Sequence, residues 1–310
     1  MLRITLLWIQ FKTFKRFILK IKNVCVAMSS LLLVACTKVG LGVANLPNTF
    51  SDTETITDIA YGNEPWQKLD IYVPPHSSGQ SLPVVVFFYG GSWKDGSKDM
   101  YPFVGEAFAK KGYITVIADY SKYPQVTFPS FVEDGAKAVA WTYRHIAAYQ
   151  GDPKRLFISG HSAGAHIGAL LTADKHYLRA EGLTPSILNA FAGLSGPYDF
   201  VPYEDDYIAI FGPPENYPNM QVTTFIEGDE PSMLLLWGAD DTLVGKSNMD
   251  KLIKKINVVQ GLVESKVYDD LDHVAMVSSL VWFLKSKAPI LDDVNDFFQR
   301  HGANAVVLEE

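Results

Sequence analysis

The chain has 310 residues, with 34 acidic and 27 basic side chains and a net charge of −7. This acidic balance, with no basic stripe in the body of the chain, argues against a nucleic-acid partner. The hydrophobic fraction of 48% predicts a globular protein. The only cysteines, Cys25 and Cys36, precede the expected folded body and exclude a disulfide framework or a thiolate metal site there.

The N-terminal 36 residues have the pattern of an export signal. The first 22 residues carry six basic side chains and no acidic one. An apolar run over residues 24–35 follows, and it is shorter than the about 20 residues that a membrane-spanning helix needs. The run ends Leu33-Val34-Ala35-Cys36, which resembles the lipobox of bacterial lipoproteins and implies cleavage before Cys36 and lipidation of that cysteine. The alternative is an ordinary cleaved signal, or an uncleaved anchor, in which Cys36 is incidental.

The expected location is the bacterial cell envelope, with the chain held to the membrane by a lipid anchor. Lys38 follows the cysteine, and a residue other than Asp there goes with the outer membrane in enterobacterial lipoproteins. Residues 37–58 are polar and contain Gly, Asn, Thr and Pro, which predicts a tether. The predicted organisation is therefore a signal at 1–36, a tether at 37–58, a folded domain at 59–300 and a C-terminal tail at 301–310.

Apolar runs in the body of the chain predict the strands of a sheet. Runs without alternation suit strands that are buried on both faces, as in a parallel sheet covered by helices. The predicted strands cover residues 69–73, 83–89, 113–118, 155–159, 233–237 and 265–268. The first of them alternates and ends at two prolines, which predicts an edge strand.

Helical spacing of apolar residues predicts helices between these strands. They cover residues 131–149, 163–173, 248–258 and 275–285. Strands that alternate with helices imply parallel crossovers. The predicted fold class is therefore α/β, with a mostly parallel central sheet flanked by helices.

Ser162 is the candidate nucleophile, because it stands in a G-x-S-x-G pattern over residues 160–164. A predicted strand precedes the pattern and a predicted helix follows it, which is the context that holds a serine at the tip of a strained turn. The positive end of the helix would favour an oxyanion beside the serine. The alternative is a glycine-containing turn without chemistry.

Two other segments flank this candidate site. Gly90 and Gly91 close the predicted strand 83–89 and indicate a tight turn, whose amides could donate to an oxyanion. The sequence leaves open which of Gly90, Gly91 and Ser92 would donate. Residues 195–231 are rich in aromatic side chains and proline, which indicates either a small lid over the serine or a packed loop without substrate contact.

The acid and the base of a serine hydrolase follow the serine along the chain. Asp240 and Asp241 both come directly after the predicted strand 233–237, so the residues alone leave two candidates for the acid. Only His273 and His301 come later than these aspartates. His273 directly follows the predicted strand 265–268, whereas His301 lies in a polar stretch near the chain end, so His273 is the predicted base.

Taken together, these motifs resemble the esterase/lipase branch of the α/β-hydrolase superfamily, which contains hormone-sensitive-lipase-like carboxylesterases and kynurenine formamidase. The likeness runs over residues 61–287 and is most specific at 152–155 and 160–166. Relatives read G-x-x-D-x-x-V at the acid, and that pattern selects Asp241 over Asp240. The resemblance also implies an α/β-hydrolase fold with a short cap or lid insertion.

The oxyanion loop departs from the pattern of these relatives. Lipases and esterases carry an HGGG-type loop at this place, and here Tyr89 stands for the histidine and Ser92 for the last glycine. Because main-chain amides, and not side chains, donate the hydrogen bonds to the oxyanion, the resemblance still implies that the amides of Gly91, Ser92 and Ala163 form the oxyanion hole.

The expected function is hydrolysis of small-molecule carboxylic esters by Ser162, His273 and Asp241 through an acyl-enzyme. This chemistry requires no metal and no organic cofactor. Two alternatives stay open: an arylformamidase-like amide hydrolase, and a non-catalytic lipoprotein that keeps the fold as a binding module. The sequence does not determine the oligomeric state.

Overall fold

A computed structural model of the protein describes residues 42–45, 51–75, 81–284 and 286–302. The chain divides into two compact units, residues 1–46 and residues 47–310. In the first unit, the described residues contain one helical turn at residues 42–44. The predicted signal with Cys36, residues 37–41 and 46–50 of the predicted tether, and residues 303–310 of the predicted tail lie outside the described residues.

The second unit is built on an eight-stranded sheet with the order β1-β2-β4-β3-β5-β6-β7-β8. The strands are β1 Glu54–Ala60, β2 Lys68–Val73, β3 Leu82–Phe88, β4 Ile114–Ala118, β5 Gly151–His161, β6 Leu188–Leu194, β7 Ser232–Gly238 and β8 Val263–Tyr268. β2 pairs antiparallel with β1 and β4, and all later neighbours pair parallel. The predicted mostly parallel α/β architecture is confirmed.

Helices cover both faces of the sheet. They are α1 Pro102–Ala109, α2 Ser130–His145, α3 Ala163–Ala173, α4 Lys175–Ala180, α5 Asp205–Phe211, α6 Tyr217–Met220, α7 Ser247–Val258, α8 His273–Ser278 and α9 Ile290–Gly302. Successive side chains of a strand point to opposite faces. On β5, Phe157 stacks on Phe298 of α9 at 4.5 Å, whereas Ile158 lies against Gly168 of α3. α3 and α9 therefore cover opposite faces.

The core lies along the central parallel strands. Every residue of β3 from Val84 to Phe88 is fully buried, as the continuous apolar run predicts. β4 is buried along its whole length, and so is the apolar part of β5. These buried strands form a rigid platform, and the loops at their carboxyl ends carry the candidate site.

Two expectations about the start of the domain are wrong. β1 begins at Glu54, inside the segment predicted as a tether over 37–58, and it pairs with β2. β2 is therefore an internal strand and not the predicted edge strand. The physical reason is that β1 is exposed or half-exposed at every position, so it carries no apolar alternation that would mark it as a strand.

Other elements differ from the sequence expectation because their local signals are weak. β6 has no predicted counterpart, since Ala190, Ala192 and Gly193 give it little of the β-branched and aromatic character typical of strands. The helix predicted over 275–285 begins two residues earlier and ends at Ser278, and turns follow it.

The turn between β5 and α3 is tightly packed against its surroundings. Ser162 sits at its tip with φ 55° and ψ −125°, a backbone conformation that non-glycine residues rarely adopt. A Cβ on Gly160 would lie 2.6 Å from the main chain of Gly164, and a Cβ on Gly164 would lie 2.1 Å from the Phe88 carbonyl oxygen. Both glycines are required because the turn presses against its own helix and against the end of β3.

We expect Gly164→Ala to destabilise the protein by about 3 kcal/mol, because the added methyl group meets rigid main chain and not a side chain that can move aside. The measurement is the free energy of unfolding from denaturant titration. Gly245→Ala is the matched control, since its nearest neighbour would be the Ser247 hydroxyl at 3.8 Å. Equal stability of the two variants would contradict this description of the turn.

Candidate active site

Ser162 stands at the carboxyl end of β5, in the centre of the parallel part of the sheet. Its amide donates to the Leu194 carbonyl of the neighbouring strand at 2.9 Å, and its carbonyl accepts from the His166 amide at 3.1 Å. The residue is half-buried and directly precedes α3. The main chain on both sides of the serine is therefore held, and the helix N-terminus adds positive potential beside its side chain.

Asp241 follows β7 and His273 follows β8, and the side chains of these two residues contact each other at the carboxyl end of the sheet. The His273 Nδ1 and the Asp241 Oδ2 are 2.8 Å apart, and both residues are buried. Asp241 turns its other oxygen inward to accept from the amides of Leu243 and Val244 at 3.0 and 2.9 Å. Since the carboxylate can only accept, the neutral imidazole carries its proton on Nδ1 and has a free lone pair on Nε2.

The local sequence explains how His273 reaches this position. Asp272 caps α8 by accepting from the Ala275 amide at 2.7 Å, so that His273 is the first residue of the helix. β7 and β8 are parallel neighbours, so the loops that follow them lie side by side. Asp241 and His273 therefore meet although 32 positions separate them.

The alternative candidates for the acid and the base, Asp240 and His301, lie outside this pair. Asp240 is exposed, whereas Asp241 is buried. His301 lies near the end of α9, and its Nε2 faces Glu264 at 3.9 Å. The structure thus brings together Asp241 and His273, and it does not bring Asp240 or His301 into that pair.

His161 joins His273 to the turn that carries the serine. The His161 Nε2 donates to the main-chain carbonyl of His273 at 2.9 Å, and the two rings lie 4.7 Å apart. His161 directly precedes Ser162. The main chain of His273 is therefore hydrogen-bonded to the residue that directly precedes the candidate nucleophile.

The electrostatics favour an ionised Asp241. Burial opposes the charge, but the hydrogen bonds from His273 and the Val244 amide outweigh it, and the pKa of Asp241 falls below its ordinary value. Ser195, directly after β6, also lowers the pKa of Asp241. Its buried hydroxyl makes no regular hydrogen bond with the described residues. Sequence reasoning did not single out Ser195, because the strand before it was not recognised.

The turn after β3 has an unusual backbone. Gly91, Ser92 and Trp93 have φ values of 144°, 52° and 58°. A Cβ on Gly91 would lie 2.1 Å from the Asp95 carbonyl, so glycine is required there. The Gly91 carbonyl accepts from the amides of Lys94 and Asp95 at 3.0 and 2.8 Å.

The amides around the candidate nucleophile have few protein partners. Burial raises the pKa of the nearby Tyr101 hydroxyl to about 12, against a smaller lowering by the Gly90 main chain. Within the described ranges, the amides of Gly91, Ser92 and Ala163 donate to no protein acceptor. Those three amides are the ones that the sequence resemblance implied as oxyanion donors.

Tyr89 anchors the base of the turn. Its hydroxyl donates to Asp119 Oδ1 at 2.5 Å and accepts from Lys122 Nζ at 2.9 Å. Its carbonyl accepts from the Tyr120 hydroxyl at 2.8 Å. Tyr89 therefore supplies fixed contacts at the position where related enzymes carry a histidine.

The segment 195–231 packs on Trp93. Phe200 stacks on the indole at 5.7 Å, and Tyr207 and Phe211 meet it edge-on at 6.0 and 4.8 Å. The Tyr207 hydroxyl also donates to the Ser92 hydroxyl at 3.3 Å. The segment is thus a small aromatic cap over the turn after β3.

In the part of the chain that the structure describes, no group of three metal-ligating side chains is placed to hold an ion.

Comparison with known proteins finds relatives that match about half of the chain. The chain is 36% identical over 163 residues to a probable isoprenylcysteine alpha-carbonyl methylesterase of Oryza sativa subsp. japonica, covering 51% of this chain and 38% of that protein. It is 32% identical over 158 residues to the kynurenine formamidase of Danio rerio, covering 51% of each. The chain thus spans about half or less of the length of these relatives.

Solved structures share the fold. A truncated carbohydrate esterase from gut microbiota superposes with a TM-score of 0.71 at 18% identity, covering 81% of this chain and 97% of that one. This likeness, with the sheet order and the turn after β5, shows the α/β-hydrolase fold. The BD-FAE family matches residues 69–256, which is more than half of the chain. The protein is therefore a member of the BD-FAE family.

Proposed function

We propose that the protein hydrolyses carboxylic esters, with Ser162 as nucleophile, His273 as base and Asp241 as the acid that orients the base. The observation that carries the proposal is the 2.8 Å hydrogen bond between His273 and Asp241, beside the turn that presents Ser162. The esterase names of the relatives support it.

The proposed reaction uses the Nε2 lone pair of His273. His273 takes the Ser162 proton as the serine oxygen bonds to the ester carbonyl carbon. The bond from that carbon to the alcohol oxygen then breaks, and His273 returns the proton to the leaving alcohol. His273 then deprotonates a water molecule as its oxygen bonds to the acyl carbon; the bond from that carbon to the serine oxygen breaks, His273 returns the proton to Ser162, and the carboxylic acid leaves. Asp241 stabilises the imidazolium that exists between these transfers.

The proposed oxyanion hole consists of the amides of Gly91, Ser92 and Ala163. These amides have no protein acceptor within the described ranges, so they are available to a negative oxygen. Each such donor is worth about 3 kcal/mol of barrier. The contacts of Tyr89 and of the aromatic cap support the donors by holding the turn in one conformation.

The substrate that we propose is a small-molecule ester. One relative is named a methylesterase and another a kynurenine formamidase, so the same residues could also act on an activated amide. Ester and formamide chemistry differ in the leaving group and not in the triad. Comparing turnover of p-nitrophenyl acetate with that of N-formyl-kynurenine decides between these two substrates.

We expect Ser162→Ala to abolish both p-nitrophenyl ester hydrolysis and covalent labelling by a fluorophosphonate probe, because the nucleophile is lost. The measurements are initial rates and in-gel fluorescence. Ser159→Ala is the matched control, since this serine lies in β5 with a buried hydroxyl and no partner among the described residues. Labelling that persists in Ser162→Ala, or a wild-type protein that neither labels nor turns over, would contradict the proposal.

We expect Asp241→Asn to lower kcat by about 10³- to 10⁴-fold at neutral pH, because an amide no longer holds the reactive tautomer of His273. The exposed neighbour provides the control: Asp240→Asn should keep the wild-type rate.

Because the pKa of Asp241 is lowered in the folded state, the contribution of this carboxylate to stability is complete above the ordinary carboxyl pKa and is lost as the pH falls through the lowered value. Because the pKa values of Asp58 and Glu106 are lowered as well, a thermal-unfolding series against pH should show a smaller acid-side loss in Asp241→Asn than in wild type, and not its disappearance.

We also propose that the chain is lipid-anchored at Cys36 in the bacterial cell envelope. The support is the sequence of residues 33–36 after a basic and an apolar segment. Among the residues that the structure describes, no helix has the length and apolar character to cross a bilayer. More than one acyl chain is needed for stable anchoring.

We expect Cys36→Ser to remove incorporation of alkyne-palmitate and to shift the protein from the membrane fraction to the soluble fraction. Cys25→Ser is the matched control and should leave both readouts unchanged, because Cys25 lies inside the predicted signal. Palmitate incorporation that survives in Cys36→Ser would refute the anchor.

A further inference from the structure

His161 is a buried histidine to which the proposed reaction gives no proton-transfer step. It lies at the end of β5, and its Nε2 donates to the His273 carbonyl at 2.9 Å. The contact spans 112 positions of sequence and joins the end of β5 to the start of α8. His161 is 5% exposed, so water does not compete for this hydrogen bond.

The same ring contacts the turn after β3. A Cβ on Gly90 would lie 2.9 Å from the His161 Nδ1 and 3.0 Å from the Ser162 Cβ. Gly90 therefore gives the imidazole the space it occupies. His161 thus touches all three parts of the proposed machinery: it precedes the nucleophile, bonds the main chain of the base and borders the oxyanion turn.

The chemistry of the ring keeps it neutral. A carbonyl can only accept, so the proton of the neutral imidazole sits on Nε2, and Nδ1 has no partner in the described structure. Protonation would bury a second donor without an acceptor and place a positive charge 4.7 Å from the His273 ring. Burial, with the nearby His273, lowers the pKa of His161 to about 3, against the opposing effects of the hydrogen bond to the His273 carbonyl and of Asp241.

We propose that His161 is a positioning residue: its Nε2–H holds the main chain of His273 so that the base faces both Ser162 and Asp241. This inference rests on the proposed hydrolase function. The residue acts through His273 and takes no proton itself. Its neutrality matters because a cation at this place would oppose the imidazolium that His273 forms during each transfer.

Substitutions that place an amide nitrogen at the position of one ring nitrogen of His161 distinguish a hydrogen-bonding role from a packing role. A glutamine amide nitrogen can reach the position of Nε2, whereas an asparagine amide reaches only that of Nδ1. Leucine fills a similar volume without a donor. If the hydrogen bond to His273 is what matters, His161→Gln keeps the function while His161→Asn and His161→Leu lose it.

We expect His161→Leu to lower kcat by on the order of 10²-fold with KM little changed, because a small displacement of the base weakens each proton transfer. His161→Gln should restore most of kcat. The measurements are kcat and KM for p-nitrophenyl acetate. A second readout does not require turnover: the low-field proton NMR signal of the His273–Asp241 hydrogen bond should weaken in His161→Leu and return in His161→Gln.

His166 provides a matched control. It is also fully buried, its Nε2 donates to a main-chain carbonyl, that of Met220 at 2.7 Å, and burial lowers its pKa to about 4. Its ring meets Trp93 and Phe211 and not His273. We expect His166→Leu to lower Tm as much as His161→Leu does, while the low-field His273 signal stays as in wild type.

The outcomes decide the proposal. It is overturned if His161→Leu keeps kcat and the low-field signal, if His161→Gln behaves like His161→Leu, or if His166→Leu weakens the signal equally. Should His161→Leu fail to fold, the comparison of His161→Gln with His161→Asn gives the same decision. If wild type hydrolyses no ester, the proposed function fails, whereas the NMR comparison still tests whether His161 positions His273.

Discussion

The candidate site depends on the hydrogen bond between His273 and Asp241, and that bond depends on the parallel sheet. The two residues follow neighbouring strands whose carboxyl ends lie at one edge, so the loops after them are side by side. The Asp241 carboxylate is anchored by two main-chain amides before it meets the histidine. A buried carboxylate held in this way remains charged, and it gives the imidazole one orientation and one tautomer.

Close contacts between main-chain atoms also fix the position of the candidate nucleophile, Ser162. Ser162 has a strained backbone because the glycines on either side let β5, α3 and the end of β3 approach each other. Strain of this kind persists only where surrounding structure holds it. The amides of Ser162 and Ser195 tie the ends of β5 and β6 to their neighbouring strands, which supplies that support.

The turn after β3, which carries the proposed oxyanion donors, is held by side-chain contacts on two sides. The Tyr89 hydroxyl joins Asp119 and Lys122 in one hydrogen-bonded group. The aromatic cap packs on Trp93 from the other side. Since main-chain amides do the proposed work, what matters is that the turn is held, and several different side chains can hold it.

The sequence by itself determined the α/β class, the central buried strands and the turn at Ser162, because these are local signals of apolar runs, glycines and spacing. It placed β1 in a tether and overlooked β6, since an exposed strand and a strand of small residues have no such signal. The residues alone left both Asp240 and Asp241 open, and only the family resemblance favoured Asp241; the tertiary structure buries Asp241 against His273 and leaves Asp240 exposed. Likewise, the contact of His161 with His273 depends on strand order, which no local stretch of sequence encodes.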